Sequence, residues 1–215
     1  MEGEGEIVCS VEKWCSLVDR LTPDQRDALR HTGIYCMLQM HPIAMREHLI
    51  RYTVEIYNPK TKRFVVRSKV EFTATPVDVE CIYGLQNSGL CCKEIIKQEY
   101  DRKVKIPAQF INKKTGNIVI EDLITYIVES GSADDDFVRM MGLVLFATVI
   151  APQYRKIVPK EYYVLVKDVD RFKELNLNEF TLNTLLDWMR QARNGKVMAH
   201  WPLGNTSLLQ VHINS

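Results

Sequence analysis

From Gly142 to Ala151 the chain runs through ten residues without a charged side chain, and Pro152 follows. A helix that is apolar all round has no face to give to water, so the rest of the chain must wrap it. The run is far shorter than the roughly 20 residues needed to span a bilayer. The reading is a central buried helix that begins near Phe137 and is ended by Pro152. Asp134, Asp135 and Asp136 precede it, where acidic side chains face the positive end of the helix dipole. Ser132 or Asp134 is the expected cap. Three carboxylates could hold a hard cation, but consecutive residues at a helix start point in different directions, and capping is the simpler account. Past a basic loop, Pro159 starts a short helix with Tyr163, Val164 and Val166 inside, ending at Asp168.

Helix signals recur on both sides of this centre. Ser10 can cap a helix running toward Leu21, with Val11, Trp14, Cys15 and Val18 on one face. Thr22-Pro23-Asp24-Gln25 combines a cap, a proline with preset φ and a capping-box glutamine. Gly33 is expected to end that helix in the left-handed conformation. A further helix is predicted over Ile43–Tyr52. Asn58-Pro-Lys-Thr61 reads as a turn. Arg63–Val66 and Lys69–Phe72 read as a small β hairpin about Arg67-Ser68. Thr75-Pro76-Val77-Asp78 is a second Thr-Pro start, carrying Val79, Ile82 and Tyr83 and stopping at Gly84. Leu90–Thr115 is charged and weakly periodic. Ile118–Ser130 reads as a helix with a stripe of Leu123, Ile124, Ile127 and Val128. Asn178 is the expected cap of a last amphipathic helix bearing Phe180, Leu182, Leu185, Leu186, Trp188 and Met189, closed by Gly195. Residues 1–9 are expected to be a flexible acidic N-terminus, and 10–215 one mainly α domain with a small hairpin.

Charge and cysteine usage restrict the function classes. Lys and Arg number 28 against 27 acids, a net charge of +1. That balance disfavours a dedicated duplex-DNA binder, which needs clustered cations to neutralise phosphates. The acidic start, Met1-Glu-Gly-Glu-Gly-Glu6, is neither a secretory signal nor a transit peptide. The expected place is the cytosol or nucleus, where the six cysteines would stay reduced. No membrane association is expected.

Motifs that carry chemistry are few in this chain. There is no phosphate-binding glycine loop, no H-E-x-x-H and no C-x-x-C pair, so no cofactor or metal is expected. Cys91-Cys92 with His41, His48 or His200 is the one thiol-hydrolase possibility, and it lacks an activating context. Trp188 and Trp201 could stack on bases, but Trp188 lies on an apolar helix face and reads as core. Lys60, Lys62, Arg63 and Arg67 surround the hairpin and are the candidate nucleic-acid contacts.

Four blocks carry a family resemblance. They are Leu21-Thr-Pro-Asp-Gln-Arg-Asp-Ala-Leu-Arg-His-Thr-Gly33; Leu49 through Phe72, continuing into Thr75-Pro-Val-Asp-Val-Glu-Cys-Ile-Tyr-Gly-Leu85; Phe137–Pro152 with Val158-Pro159 and Tyr162-Tyr163; and Val169–Met189. In this order they resemble the plant mobile domain, or aminotransferase-like domain, a plant-specific and transposon-associated family. The resemblance implies no aminotransferase chemistry. It implies a non-enzymatic module that binds another protein or itself, derived from a transposon. A selfish toxin–antidote or hybrid-incompatibility role in a grass and a nucleic-acid-binding silencing role are the alternatives. Relatives continue with a long apolar helix after the segment similar to Gly204–Val211. Without it an apolar groove would stay open, and Leu203, Leu208, Leu209 and Val211 are the expected partner-binding residues.

Overall fold

The computed structural model describes residues 11–42, 46–66, 70–101, 104–152, 156–195 and 208. They form a mainly α domain with two small sheets. Helices α1 (Val11–Asp19), α2 (Pro23–Ala28) and α3 (Glu47–Ile56) come first. Strands β1 (Tyr57–Asn58), β2 (Arg63–Val65) and β3 (Glu71–Phe72) follow, then α4 (Pro76–Tyr83) and α5 (Cys92–Glu99). Next are β4 (Ile118–Val119), α6 (Ile120–Ser130) and α7 (Asp135–Leu145). The chain continues through β5 (Ile157–Val158), α8 (Tyr163–Val166), α9 (Val169–Phe172) and α10 (Leu177–Arg193).

The apolar run sits where its composition requires. Every residue from Leu143 to Ala151 is fully buried. α7 widens at Phe146–Ile150 into a π-helical turn before Pro152, and the Ala151 amide bonds back to the Phe146 carbonyl (2.9 Å). Thr148 keeps its hydroxyl satisfied in this dry setting by donating to the Val144 carbonyl (2.7 Å). Gly142 allows the close approach of α8 and α9. A Cβ there would lie 2.7 Å from Val166 Cγ1 and 3.2 Å from the Phe172 ring. Phe146, Tyr162 and Phe180 form an aromatic triangle with centroids 5.5–5.9 Å apart, joining this helix to α10.

The helix starts follow their sequence signals. Thr22 and Gln25 exchange both capping-box bonds (3.2 and 3.1 Å). The Asp78 carboxylate accepts from the amide and the hydroxyl of Thr75. Asp134 accepts from the Phe137 amide (2.9 Å), and Gly84 ends α4 with φ +68°.

Several boundaries differ. α2 stops at Ala28, and Gly33, although left-handed (φ +79°), lies five residues later in a turn. α3 runs on to Ile56, four residues past the expected end at Tyr52. Residues 43–45 lie outside the described set. The hairpin is real but gains β1 as a third strand. Ile118-Val119 pairs antiparallel with Ile157-Val158 before the helix begins at Ile120. α5 lies within the stretch that showed weak periodicity. Asp168 begins α9 by accepting from the Arg171 amide (3.2 Å), rather than merely ending α8. Asn176, not Asn178, caps α10 by accepting from the Glu179 amide (3.0 Å). Asn178 is the second residue of the helix and is buried, donating to the Leu85 carbonyl (2.8 Å).

Candidate interaction surface

The three-stranded sheet has a packed face and an open face, because side chains alternate along a strand. Tyr57, Phe64 and Phe72 stand opposite one another in register across β1, β2 and β3. The Phe64 and Phe72 rings stack at 4.8 Å and 10°, and Tyr57 tilts against Phe64 at 5.2 Å. Phe64 has no exposed surface, and such burial stabilises by about 2–3 kcal/mol. α3 and α10 back this row. On the open face Arg63 pairs with Glu71 at 2.8 Å. β3 is an edge strand. The Val66 amide bonds to the Val70 carbonyl (3.0 Å), and Phe72 faces Phe64 two residues on. By antiparallel alternation the Glu71 amide and carbonyl therefore point away from β2. Val70, just before β3, is 59% exposed, and Val77, in the first turn of the following helix, is 53% exposed.

The expected nucleic-acid residues lie at the opposite end of β2. Lys60 and Lys62 are exposed on the turn from β1 to β2, which the Asn58 side chain holds by accepting from the Lys60 and Thr61 amides (3.0 and 3.4 Å). Arg63 is engaged by Glu71, and Arg67 lies outside the described residues. The expected partner-binding residues Leu203, Leu209 and Val211 also lie outside them. Leu208 is 1% exposed and packs into the main core, so it is not an open apolar side chain. The reason is plain: an apolar residue near the end of a chain is covered wherever the core offers it room.

The strongest polar constellation was not anticipated from sequence. Glu99, at the end of α5, accepts two bonds from Arg171 (2.6 and 3.1 Å) and pairs with Lys167 at 2.7 Å. Arg171 also donates to the Val164 carbonyl (3.2 Å), and Arg139 donates to the Lys167 carbonyl (3.0 Å). The Arg171 guanidinium, helped by Lys167, lowers the Glu99 carboxyl from its ordinary 4.5 to about 2. Glu99 in turn raises Arg171. Two cations share the one Glu99 carboxylate, and these ion pairs tie α5 to α8 and α9, while the Arg171 Nε is buried with no hydrogen-bond partner among the described residues.

Cys92 sits at the first position of α5, where the helix dipole would favour a thiolate. Burial wins, pushing its thiol up to about 12, and the sulfur lies 3.9 Å from the Asn176 carbonyl it can donate to. Cys91 precedes it, half-buried, while His41 and His48 are exposed, and His200 lies outside the described residues. The three aspartates diverge. Asp134 caps α7, Asp136 pairs with Arg139 (2.7 Å) and accepts from Gln109 (2.8 Å), and Asp135 lies 3.5 Å from Arg139. Among the described residues no group of three His, Cys, Asp or Glu side chains is placed to hold a metal ion. Trp188 is 1% exposed and packed in the core, so it offers no face to a base, and Trp201 lies outside the described residues.

The described residues form a mainly α domain whose three-stranded sheet has β3 at an edge, with the exposed Val70 before it and the exposed Val77 after it. Residues 7–205 match the family model described as Domain of unknown function (DUF8566), and the chain belongs to that family. No curated protein and no solved structure matches it. Among the described residues no helix is long and apolar enough to cross a membrane.

Proposed function

We propose that this chain is a non-enzymatic module that works by binding protein, another chain or a second copy of itself, at the β3 edge. One observation carries the reading: an edge strand with outward-turned backbone groups lies between Val70 and Val77, both more than half exposed. Such an edge can accept an added strand, its main-chain groups supplying affinity and flanking apolar side chains supplying specificity. The ion-paired Glu99 carboxylate and the raised, buried Cys92 thiol support a binding role over catalysis. The resemblance to the plant mobile domain supports the same reading, and would make the module transposon-derived.

Light scattering on the purified chain across a concentration series tests the self-binding form. A mass that rises toward a dimer, and stays monomeric in a Val70→Glu, Val77→Glu double variant, is the expected result. A wild-type chain that remains monomeric throughout removes self-association from the reading. A dimer that the double variant forms equally well removes the β3 edge.

A further inference from the structure

Two loops of this chain share one template. Asn58-Pro59-Lys60-Thr61-Lys62 and Asn112-Lys113-Lys114-Thr115-Gly116 both read Asn-x-Lys-Thr followed by a residue at positive φ. In each, the asparagine Oδ1 accepts from the amides two and three residues on, at 3.0 and 3.4 Å in the first and 3.0 Å twice in the second. The fifth residue is at φ +55° for Lys62 and +67° for Gly116. Gly116 has open space where a Cβ would sit, so it answers to the backbone conformation and not to crowding. Lys62 occupies the same conformation with a side chain, and among the described residues it is the one non-glycine at positive φ. A lysine held there costs roughly 1 kcal/mol relative to glycine.

What the lysine adds is a cation. Among the described residues neither Lys60 nor Lys62 has an ion pair, while the neighbouring Arg63 is taken by Glu71. We propose that Lys60 and Lys62 form a contact for the phosphate backbone of a nucleic acid, a role independent of the β3 edge. The turn does not suit a free anion, because the Lys60 and Thr61 amides that would wrap one are already bonded to Asn58. It does not suit an acidic peptide, which is best gripped by a bidentate arginine, and Arg63 is engaged. A lipid surface calls for a cluster of about four to eight cations. Two point charges on one exposed turn can each meet a phosphate, with the weak, salt-sensitive affinity of a small contact.

The test is fluorescence anisotropy of the full chain with a labelled single-stranded oligonucleotide and, in parallel, a labelled duplex, over a salt series from low ionic strength. Lys60→Ala and Lys62→Gly are compared with wild type. Each substitution should flatten the slope of log K against log salt by about 0.7 on the single strand or about 0.9 on the duplex. Lys62→Gly should unfold at the same temperature as wild type or higher, so that lost binding is not lost folding. The probe that shows the change identifies the form bound. Absence of binding to either probe at low salt overturns the proposal, as do slopes that neither substitution changes. Binding to phosphatidylserine vesicles with none to either oligonucleotide would assign the turn to a membrane instead, and equally overturns it.

Discussion

Replacing Glu99 by glutamine removes one charge from the cluster that joins α5 to α8 and α9, and leaves the side-chain shape intact. A carboxyl lowered from 4.5 to about 2 corresponds to about 3.4 kcal/mol at 1.36 kcal/mol per pH unit. The cluster is not dry: the side chains of Glu99, Arg171 and Lys167 are 26%, 23% and 39% exposed. Solvent screening reduces the expected loss to about 1–2 kcal/mol. Its pH dependence has a definite sign. The folded-state carboxyl is the stronger acid, so the stabilisation is complete above the unfolded value near 4.5 and disappears as pH falls toward about 2. Urea unfolding followed by circular dichroism, on wild type and Glu99→Gln at a series of pH values, measures the difference directly. The deficit of the variant should be constant from neutral pH down to about 4.5 and shrink below it. A deficit under about 0.5 kcal/mol at neutral pH, the level of an ordinary surface change, would refute the reasoning. So would a deficit that stays constant through the acid range.

Gly89→Ala should destabilise by about 3 kcal/mol in the same assay, through strain and two displaced backbone hydrogen bonds. A Cβ at Gly89 would lie 2.1 Å from the Glu174 carbonyl oxygen, and φ there is +117°. The bonds at risk are Leu90 to Glu174 (2.7 Å) and Asn176 to Leu90 (2.9 Å); a loss below about 1 kcal/mol would show that the neighbouring backbone yields freely. Alkylation of the folded chain near pH 8, mapped by mass spectrometry, should label the exposed Cys81 and spare Cys92 until denaturant is added. Rapid native labelling of Cys92 would contradict its burial.

Local signals explain where the sequence was legible. The Thr22 and Thr75 starts, the Asp134 cap and the Gly84 stop each rest on contacts within four residues, which spacing alone can specify. The apolar run declared its own burial. What stayed hidden depends on distant partners. Gln25 looks like half of a capping box, yet its side-chain amide also donates to the Ile127 and Ser132 carbonyls, both at 3.0 Å. Asn178 resembles a helix cap, but the fold uses it to satisfy Leu85 across the interface with the segment after α4. Glu99 and Arg171 are ordinary surface residues in sequence and become partners only when α5 meets α9. The candidate surface was half legible: the hairpin and its lysines were marked by turn residues, whereas the β3 edge depends on which strand the sheet places last. Leu208 was misplaced because apolar character does not say whether a residue is covered by its own chain.

The parallel bridge between Leu90 and Leu175 imposes an order on events during synthesis. Helices α3 and α4 and strand β1 all pack against α10, and Asn176 begins that helix just past the bridge. A ribosome making this chain therefore releases Ile50, Val54, Tyr57 and Val79 well before the helix that covers them exists. Their apolar faces must wait, open to solvent and to chaperones, until α10 emerges. Completion of this part of the core waits for α10, and a ribosome that stalls before Leu177 leaves those side chains uncovered.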